Sequence, residues 1–239
     1  MKKKIWTILI TGAAIMFGLA FLLFKGYVRF NYPSKKEYPI QGIDISHHQG
    51  LIDWDELTKE DIKFVFVKAT EGGDYKDPRF LENWENTKNN NIPVGAYHFY
   101  RICKDGIEQA ENFISSVPND RSSLPPVIDL EYGGNCQTNK SKEVILSEIR
   151  EFMTILENHY QKTPIIYVTK EFYKDYSVSQ FSENPIWIRD IFTEPNTDNI
   201  NWTLWQFANR AHLKGIDMYV DLNVFNGSPD EFETFKKGL

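Results

Sequence analysis

An α/β fold, an irregular (β/α) barrel of eight strands with fewer than eight helices preceded by one transmembrane helix, is what this sequence predicts. Three observations lead there. Brief apolar runs alternate with longer amphipathic stretches, the apolar runs number eight, and residues 5–24 form an uncharged apolar segment ahead of them.

The segment IWTILITGAAIMFGLAFLLF at 5–24 is long enough for a helix rising about 1.5 Å per residue to cross a hydrocarbon layer of about 30 Å. It ends Phe21-Leu22-Leu23-Phe24, without the small-x-small exit of a cleaved signal, so an uncleaved anchor is expected. Lys2, Lys3 and Lys4 precede the span while Lys25, Arg29, Lys35 and Lys36 follow it; charge alone leaves its orientation undecided. The expected organisation is a tail at 1–4, an anchor at 5–24, a polar linker at 25–38 and one domain at 39–239.

Of 239 residues, 41% are hydrophobic and 25% charged, as in an ordinary globular chain. The first 36 residues hold seven of the 27 Lys and Arg and none of the 33 Asp and Glu, which leaves the domain 20 basic and 33 acidic groups, a balance of −13. Nucleic acid is thereby excluded as the expected partner, because neutralising phosphates takes clustered cations.

The expected strands are 42–46, 64–69, 94–100, 126–131, 165–169, 185–189, 204–208 and 218–225, in a parallel sheet with crossover helices. Helices are expected at 78–90, 106–116 and 141–160. In the last, Val144, Ile145, Ile149, Phe152, Ile155 and Leu156 make one apolar stripe behind a Ser141 cap. The connection at 190–201 is short and rich in Asn, Thr, Pro and Asp, leaving little room for a helix, hence the irregularity. There is no internal repeat, and no Gly-rich phosphate loop follows a strand.

In a parallel barrel the site gathers where strands end, and polar residues cluster there. Asp44 interrupts the first run and Glu71 follows the second. Tyr97, His98 and Tyr100 close the third, Asp129 and Glu131 the fourth, Tyr167 the fifth, Trp187 and Arg189 the sixth, Trp205 and Gln206 the seventh, Asp221 and Asn223 the eighth. A carboxylate in an apolar strand is costly to bury unless paired or used. Four of them, Asp44, Asp129, Glu131 and Asp221, converging on one rim point to catalysis.

Residues two apart share a strand face, so Asp129 and Glu131 project together with backbones about 6.6 Å apart while Leu130 points the other way. Close like charges raise one member's pKa and keep an acid protonated near neutrality. Glu131, with the longer reach, is assigned as general acid. Such a pair fits glycoside hydrolysis, with Asp129 as nucleophile, as base, or as the group that orients a substrate's own 2-acetamido oxygen; strand geometry leaves all three open. Tyr97, Tyr100, Tyr132, Tyr167, Trp187 and Trp205 suit sugar faces, though aromatics at strand ends commonly serve the core. His47, His48 and His98 with Asp44 and Asp129 could be read as metal ligands, but consecutive histidines on an extended chain point apart, which favours hydrogen-bonded rim residues.

Read together, GIDISHHQGLIDW at 42–54, FVFVKATEG at 64–72, PVGAYHFY at 93–100, PPVIDLE at 125–131, IIYVT at 165–169, LWQF at 204–207 and VDLNVF at 220–225 resemble the lysozymes of glycoside hydrolase family 25, the Chalaropsis type. The resemblance spans nearly the whole domain and rests on seven stretches in order. It implies a flattened, incomplete TIM-like barrel and 1,4-β-N-acetylmuramidase activity on peptidoglycan glycan strands. It also implies no metal or other cofactor, a monomer, catalytic carboxylates at Asp44, Asp129, Glu131 and Asp221, and Glu131 as proton donor.

By their place at the strand ends Glu71, Tyr97, His98, Tyr100, Tyr167, Trp187, Arg189, Trp205, Gln206 and Asn223 are expected to line the sugar sites. One departure is Trp187-Ile188-Arg189-Asp190, where relatives more often carry a small residue and then a tyrosine; Arg189 is expected to reshape a subsite. A wall substrate places the amino terminus inside and the domain outside the membrane. Cys103 and Cys136, on loops leaving the same rim of neighbouring strands, are then expected to pair. Two other readings compete: a metal-dependent peptidoglycan hydrolase or deacetylase acting through the His and Asp groups, and a catalytically silent wall-binding module.

Overall fold

The computed structural model describes residues 2–29, 31–196 and 200–238. Met1, Phe30, 197–199 and Leu239, which belong to the expected tail, linker, 190–201 connection and domain end, lie outside the described residues. Nine strands are present: β1 (Gln41–Ile45), β2 (Phe64–Glu71), β3 (Tyr75–Lys76), β4 (Val94–Phe99), β5 (Val127–Leu130), β6 (Ile165–Thr169), β7 (Ile186–Arg189), β8 (Leu204–Leu213) and β9 (Ile216–Phe225). The helices are α1 (Lys2–Phe24), α2 (Trp54–Leu57), α3 (Phe80–Asn89), α4 (Gly106–Ile114), α5 (Lys142–Tyr160), α6 (Lys170–Asp175) and α7 (Pro229–Lys236).

The sheet runs β1-β9-β8-β7-β6-β5-β4-β2-β3 and closes through a β1–β2 pairing, so eight strands form a barrel and the two-residue β3 is an appendage on β2. One expectation is corrected here. The sheet is not wholly parallel: β9 runs antiparallel to both β8 and β1. Only Lys214 and Gly215 separate β8 from β9, and a connection that short can only return the chain as a hairpin, since a parallel return needs a crossover of a dozen or more residues. The hairpin is also longer than expected, with Leu213 paired to Ile216 at its tip.

Alternation along each strand divides the core into two layers. Phe64, Phe66, Val127, Ile165, Tyr167, Trp187, Leu204 and Phe225 fill the barrel, and Phe232 and Phe235 of α7 belong to the same cluster. The opposite faces of the strands, including Val65, Val67, Ile128, Ile166 and Ile188, pack against α3, α4 and α5. In α5 the expected stripe is borne out at Ile145, Ile149, Phe152 and Leu156, whereas Ile155 is only partly buried and Val144, about 100° around the helix from Ile145, is exposed. Ser141 caps that helix by accepting from the Val144 amide at 3.4 Å.

Cys103 and Cys136 are bonded, with Cα atoms 6.0 Å apart, and so tie the loop after β4 to the loop after β5. Inside the barrel the interior ring is so crowded that a Cβ on Gly95 would fall 2.4 Å from Phe66 Cε1 and 3.0 Å from Leu124 Cβ. Gly95→Ala is therefore expected to destabilise the domain by about 1–3 kcal/mol through overpacking. Urea unfolding followed by tryptophan fluorescence measures this; an unchanged midpoint would show that Phe66 has room to retreat.

Candidate active site

Apolar residues occupy the lower barrel and polar residues of the same inward parity occupy its mouth. On β5, Val127 is followed inward by Asp129 and, just past the strand, Glu131; on β8, Leu204 is followed by Gln206. The resulting cleft, about 330 Å³, is lined by Asp44, Ser46, His48, Lys68, Glu71, Tyr97, Phe99, Arg101, Asp129, Glu131, Gly133, Gly134, Tyr167, Trp187, Gln206 and Asp221. All four expected carboxylates meet there. Asp221 reaches the cleft from within an antiparallel strand, because β1 and β9 place it directly opposite Asp44.

Asp44 is buried and held by two amides. Its Oδ1 accepts from Asn223 Nδ2 at 2.7 Å and from Gln206 Nε2 at 3.0 Å. Each amide is oriented in turn, since Trp187 Nε1 donates to Asn223 Oδ1 at 2.9 Å and Tyr167 Oη donates to Gln206 Oε1 at 3.0 Å. Burial raises the Asp44 carboxyl, while these amides and a hydrogen bond from Asp221 oppose the rise. For Asp221 burial and then the Asp44 charge push the carboxyl well above its ordinary range. Both members of the Asp44–Asp221 pair are thus raised by burial, Asp221 well above the ordinary carboxylate range.

Asp129 is also pushed well above the ordinary range, first by burial and then by the Glu131 charge. Its Oδ1 is buried with no hydrogen-bond partner. Glu131 is raised too, by burial first, with Arg189 opposing and Asp44 reinforcing. Burial and mutual repulsion between the two carboxyls therefore favour protonation within the pair. The Glu131 backbone is fixed from behind by Asn135, whose Nδ2 donates to the carbonyls of Glu131 at 2.9 Å and Tyr100 at 2.8 Å. Asn135 Oδ1 accepts from the amides of Ile102 at 3.1 Å and Cys136 at 2.9 Å.

Across the cleft, Glu71 binds Lys68 Nζ at 2.7 Å and Arg101 Nη2 at 2.5 Å. Burial raises its carboxyl, but the two cations outweigh burial and hold it below the usual range.

Several expected sugar-binding residues lie elsewhere. His98 faces outward from β4, fully buried between Thr70 Oγ1 at 2.7 Å and Gln109 Oε1 at 3.2 Å; burial lowers its pKa to about 3. Tyr100 shares that parity and packs on Phe152. Trp205 faces outward from β8, donating to the Asp190 carbonyl at 2.7 Å. Period-two alternation is the reason: Tyr97 and Gln206 point in, so His98, Tyr100 and Trp205 point out. Asn223 touches Asp44 from behind the cleft lining, while Arg189, two residues past Trp187 on the same strand face, is outside the lining but its charge reaches Asp44, Glu131 and Asp221. Tyr132 is exposed and donates to Asp175 Oδ2 at 2.9 Å.

Lys68, Ser46, His48, Phe99 and Arg101 were not among the expected site residues. Lys68 had a readable signal, because it shares the inward parity of Phe64 and Phe66 in an otherwise apolar strand. Arg101 depends on how the loop after β4 folds. Among the described residues no three His, Cys, Asp or Glu side chains form a metal-binding group; His47 is taken up by Asp77 at 2.7 Å.

The sequence profile described as "Glycosyl hydrolases family 25" matches residues 43–216. The chain belongs to that family. It is a glycoside hydrolase of the lysozyme type. A family 25 glycosyl hydrolase structure from Bacillus anthracis superposes with a TM-score of 0.81 at 39% identity, covering 89% of this chain and 99% of that one. Lysozyme M1 of Streptomyces globisporus is 33% identical over 202 residues, 79% of this chain and 68% of its own. The N,O-diacetylmuramidase of Chalaropsis sp. is 26% identical over 215 residues, 83% of this chain and all of its own. Family membership and the barrel together bear out the expected fold and enzyme class.

The raised Asp221 carboxyl has a consequence for stability. A carboxyl whose folded pKa is raised binds its proton more tightly in the folded state, so its contribution is lost as pH climbs above the unfolded value of about 3.9. Asp221→Asn, which keeps a donor toward Asp44, is expected to raise the melting temperature at pH 7 by about 2–4 °C per kcal/mol gained, with the gain vanishing by pH 4. Calorimetry at the two pH values checks the sign; equal shifts at both would assign the effect to packing.

Proposed function

We propose that this enzyme is a 1,4-β-N-acetylmuramidase that cuts peptidoglycan strands between N-acetylmuramic acid and N-acetylglucosamine. The observation that carries the reading is the buried, partnerless Asp129 Oδ1 beside Glu131 in a cleft whose other buried carboxylate, Asp44, is held by two amides. An acceptor of that kind awaits a donor from the substrate, and the 2-acetamido N–H of the muramic acid supplies one.

That hydrogen bond stabilises the ionised form of Asp129 and so shifts the pair's proton to Glu131. Glu131 then protonates the glycosidic oxygen as the acetamido oxygen attacks the anomeric carbon, and Asp129 balances the positive charge that develops on the amide. Water, deprotonated by Glu131, reopens the cyclised intermediate. Two displacements at one carbon return the starting configuration. The Asp44–Asp221 pair holds one negative charge across the cleft, where it stabilises the sugar's cationic character. Tyr97, Tyr167 and Trp187 shape the floor, and Glu71, Lys68 and Arg101 form the polar wall.

The apolar helix α1, of which Lys3–Phe24 meets the length and hydropathy of a membrane span, is read as an uncleaved anchor. The amino terminus is then cytoplasmic and the barrel outside the membrane, where its substrate lies, as a monomer.

Glu131→Gln is expected to lower kcat on purified peptidoglycan by about 10²–10⁴-fold with the circular dichroism spectrum unchanged. Asp129→Asn should lose activity comparably. Wild type should fail on glycan whose muramic acid is N-deacetylated; full turnover on that polymer would remove the acetamido from the mechanism. Mass spectrometry of the fragments reports the bond cut. Because Glu131 acts as an acid and its carboxyl is raised, activity should decline on the alkaline side through a pKa above the ordinary carboxylate range. A chelator should leave the rate unchanged, and its abolition would favour a metal-dependent hydrolase.

A further inference from the structure

The segment that joins α1 to the barrel does not dangle. The Phe24 carbonyl accepts from Arg210 Nη1 at 2.8 Å, and the Lys25 carbonyl accepts from His212 Nε2 at 2.9 Å. The Tyr27 ring stacks on His212 with centroids 4.5 Å apart and planes within 3°. Gly26 lies so close to the hairpin that a Cβ there would stand 1.9 Å from the Arg210 carbonyl oxygen, at a φ of +79°. Further along, Asn31 Nδ2 donates to the Phe207 carbonyl at 3.0 Å and the Ile191 carbonyl at 2.8 Å. Tyr38 then reaches Trp205 and Trp202, at 6.2 and 5.9 Å between centroids.

The order of these contacts gives a direction. As the linker advances from 24 to 38, its partners on β8 and just before it recede from 212 to 202, so the linker descends the outside of the barrel antiparallel to β8. Gln206 marks the level of the cleft on that strand. Arg210 lies four residues beyond it, on the order of 10 Å past the cleft at about 3.3 Å per residue. The membrane helix therefore meets the barrel at the catalytic end, and the chain enters β1 only after running down to the far end.

A second observation concerns the surface. Among the described residues beyond 40, every exposed large apolar side chain lies at this same end, on the loops after strands, on β3, in the first turns of helices or on the hairpin. Leu51, Tyr132, Phe192 and Met218 are examples; Phe192 is 80% exposed and Leu51 71%. The opposite end exposes Lys88, Arg121 and Lys237 instead. Aromatic and basic side chains at the helix exit, Phe24, Lys25, Tyr27 and Arg29, have the chemistry of a bilayer interface.

We infer that the docked linker holds the barrel with its catalytic mouth turned toward the bilayer, so that the substrate is glycan lying at the membrane surface, in the gap between lipid and mouth, and not the outer layers of the wall. This rests on reading α1 as an uncleaved anchor and the enzyme as a muramidase.

The test uses the full chain in liposomes with single fluorophore-labelled cysteines at Leu51 or Lys237 and a quencher on the lipid headgroups. The Leu51 probe should be quenched at least twofold more strongly than the Lys237 probe; equal or reversed quenching overturns the orientation. Next, the hydrolysis rate on glycan tethered to the same vesicles is divided by the rate on that glycan bound to beads. The ratio should fall at least fivefold in Arg210→Ala/His212→Ala/Tyr27→Ala relative to wild type, with soluble glycan fragments cut at an unchanged rate as the control for folding. An unchanged ratio overturns the substrate assignment. Release of the wild-type protein from the vesicles overturns the proposal through its anchor. Absence of activity on soluble fragments rejects the muramidase reading, and with it the substrate assignment, while the quenching result stands by itself.

Discussion

Four carboxyl groups stand in one barrel mouth, and the rest of the site is organised around the cost of keeping them there. Unpaired charge in a water-poor interior is penalised by several kcal/mol per ion, so the structure carries less charge than its four acids suggest. Burial raises all four carboxyls, Asp129 and Asp221 well above the ordinary range, which favours protonated forms within each pair. What charge remains is met by Asn223 and Gln206 on one side and by the reach of Arg189 and Lys68 on the other. The amides can serve only because Trp187 and Tyr167 fix which of their ends faces the acid. Aromatic residues that look like sugar platforms in sequence are thus also the struts of the carboxylate clamp.

The same constraint explains the barrel below the mouth. Phe64, Phe66, Trp187 and Tyr167 fill the interior so fully that the strand beside them can carry only glycine at position 95. A packed floor excludes water from beneath Asp44 and Asp129, and the excluded water is what raises their pKa values. Behind Glu131, Asn135 satisfies four backbone groups with one side chain, and the Cys103–Cys136 bond clips the two loops that supply them. Glu131, the proposed general acid, is held by its backbone, which leaves its carboxyl free for substrate.

Much of this was legible in the residues. Eight apolar runs, an uncharged span of 20 residues and acids at strand ends led to the barrel, the apolar amino-terminal helix and the four carboxylates in its mouth. Reading strand ends without strand parity led to the wrong partners: His98, Tyr100 and Trp205 end strands too, but on the outward face, where they join helices and loops to the sheet. Lys68 has the right parity, but the sequence does not show the ion pair with Glu71 that holds a lysine inside the barrel mouth. The antiparallel β9 was hidden because an eighth apolar run after seven others looks the same in either direction.

The sequence by itself determined the chemistry available to this protein: which strands carry acids, that two of them lie two residues apart on one face, and that an apolar helix precedes the domain. These follow from order and periodicity, which are local. Only the tertiary structure decided which carboxyls are buried together, which amides clamp Asp44, and at which end of the barrel the apolar helix α1 arrives. Those depend on contacts between positions as distant as Asp44 and Asn223 or Phe24 and Arg210, where closure of the barrel and the run of the linker along β8 set the distances.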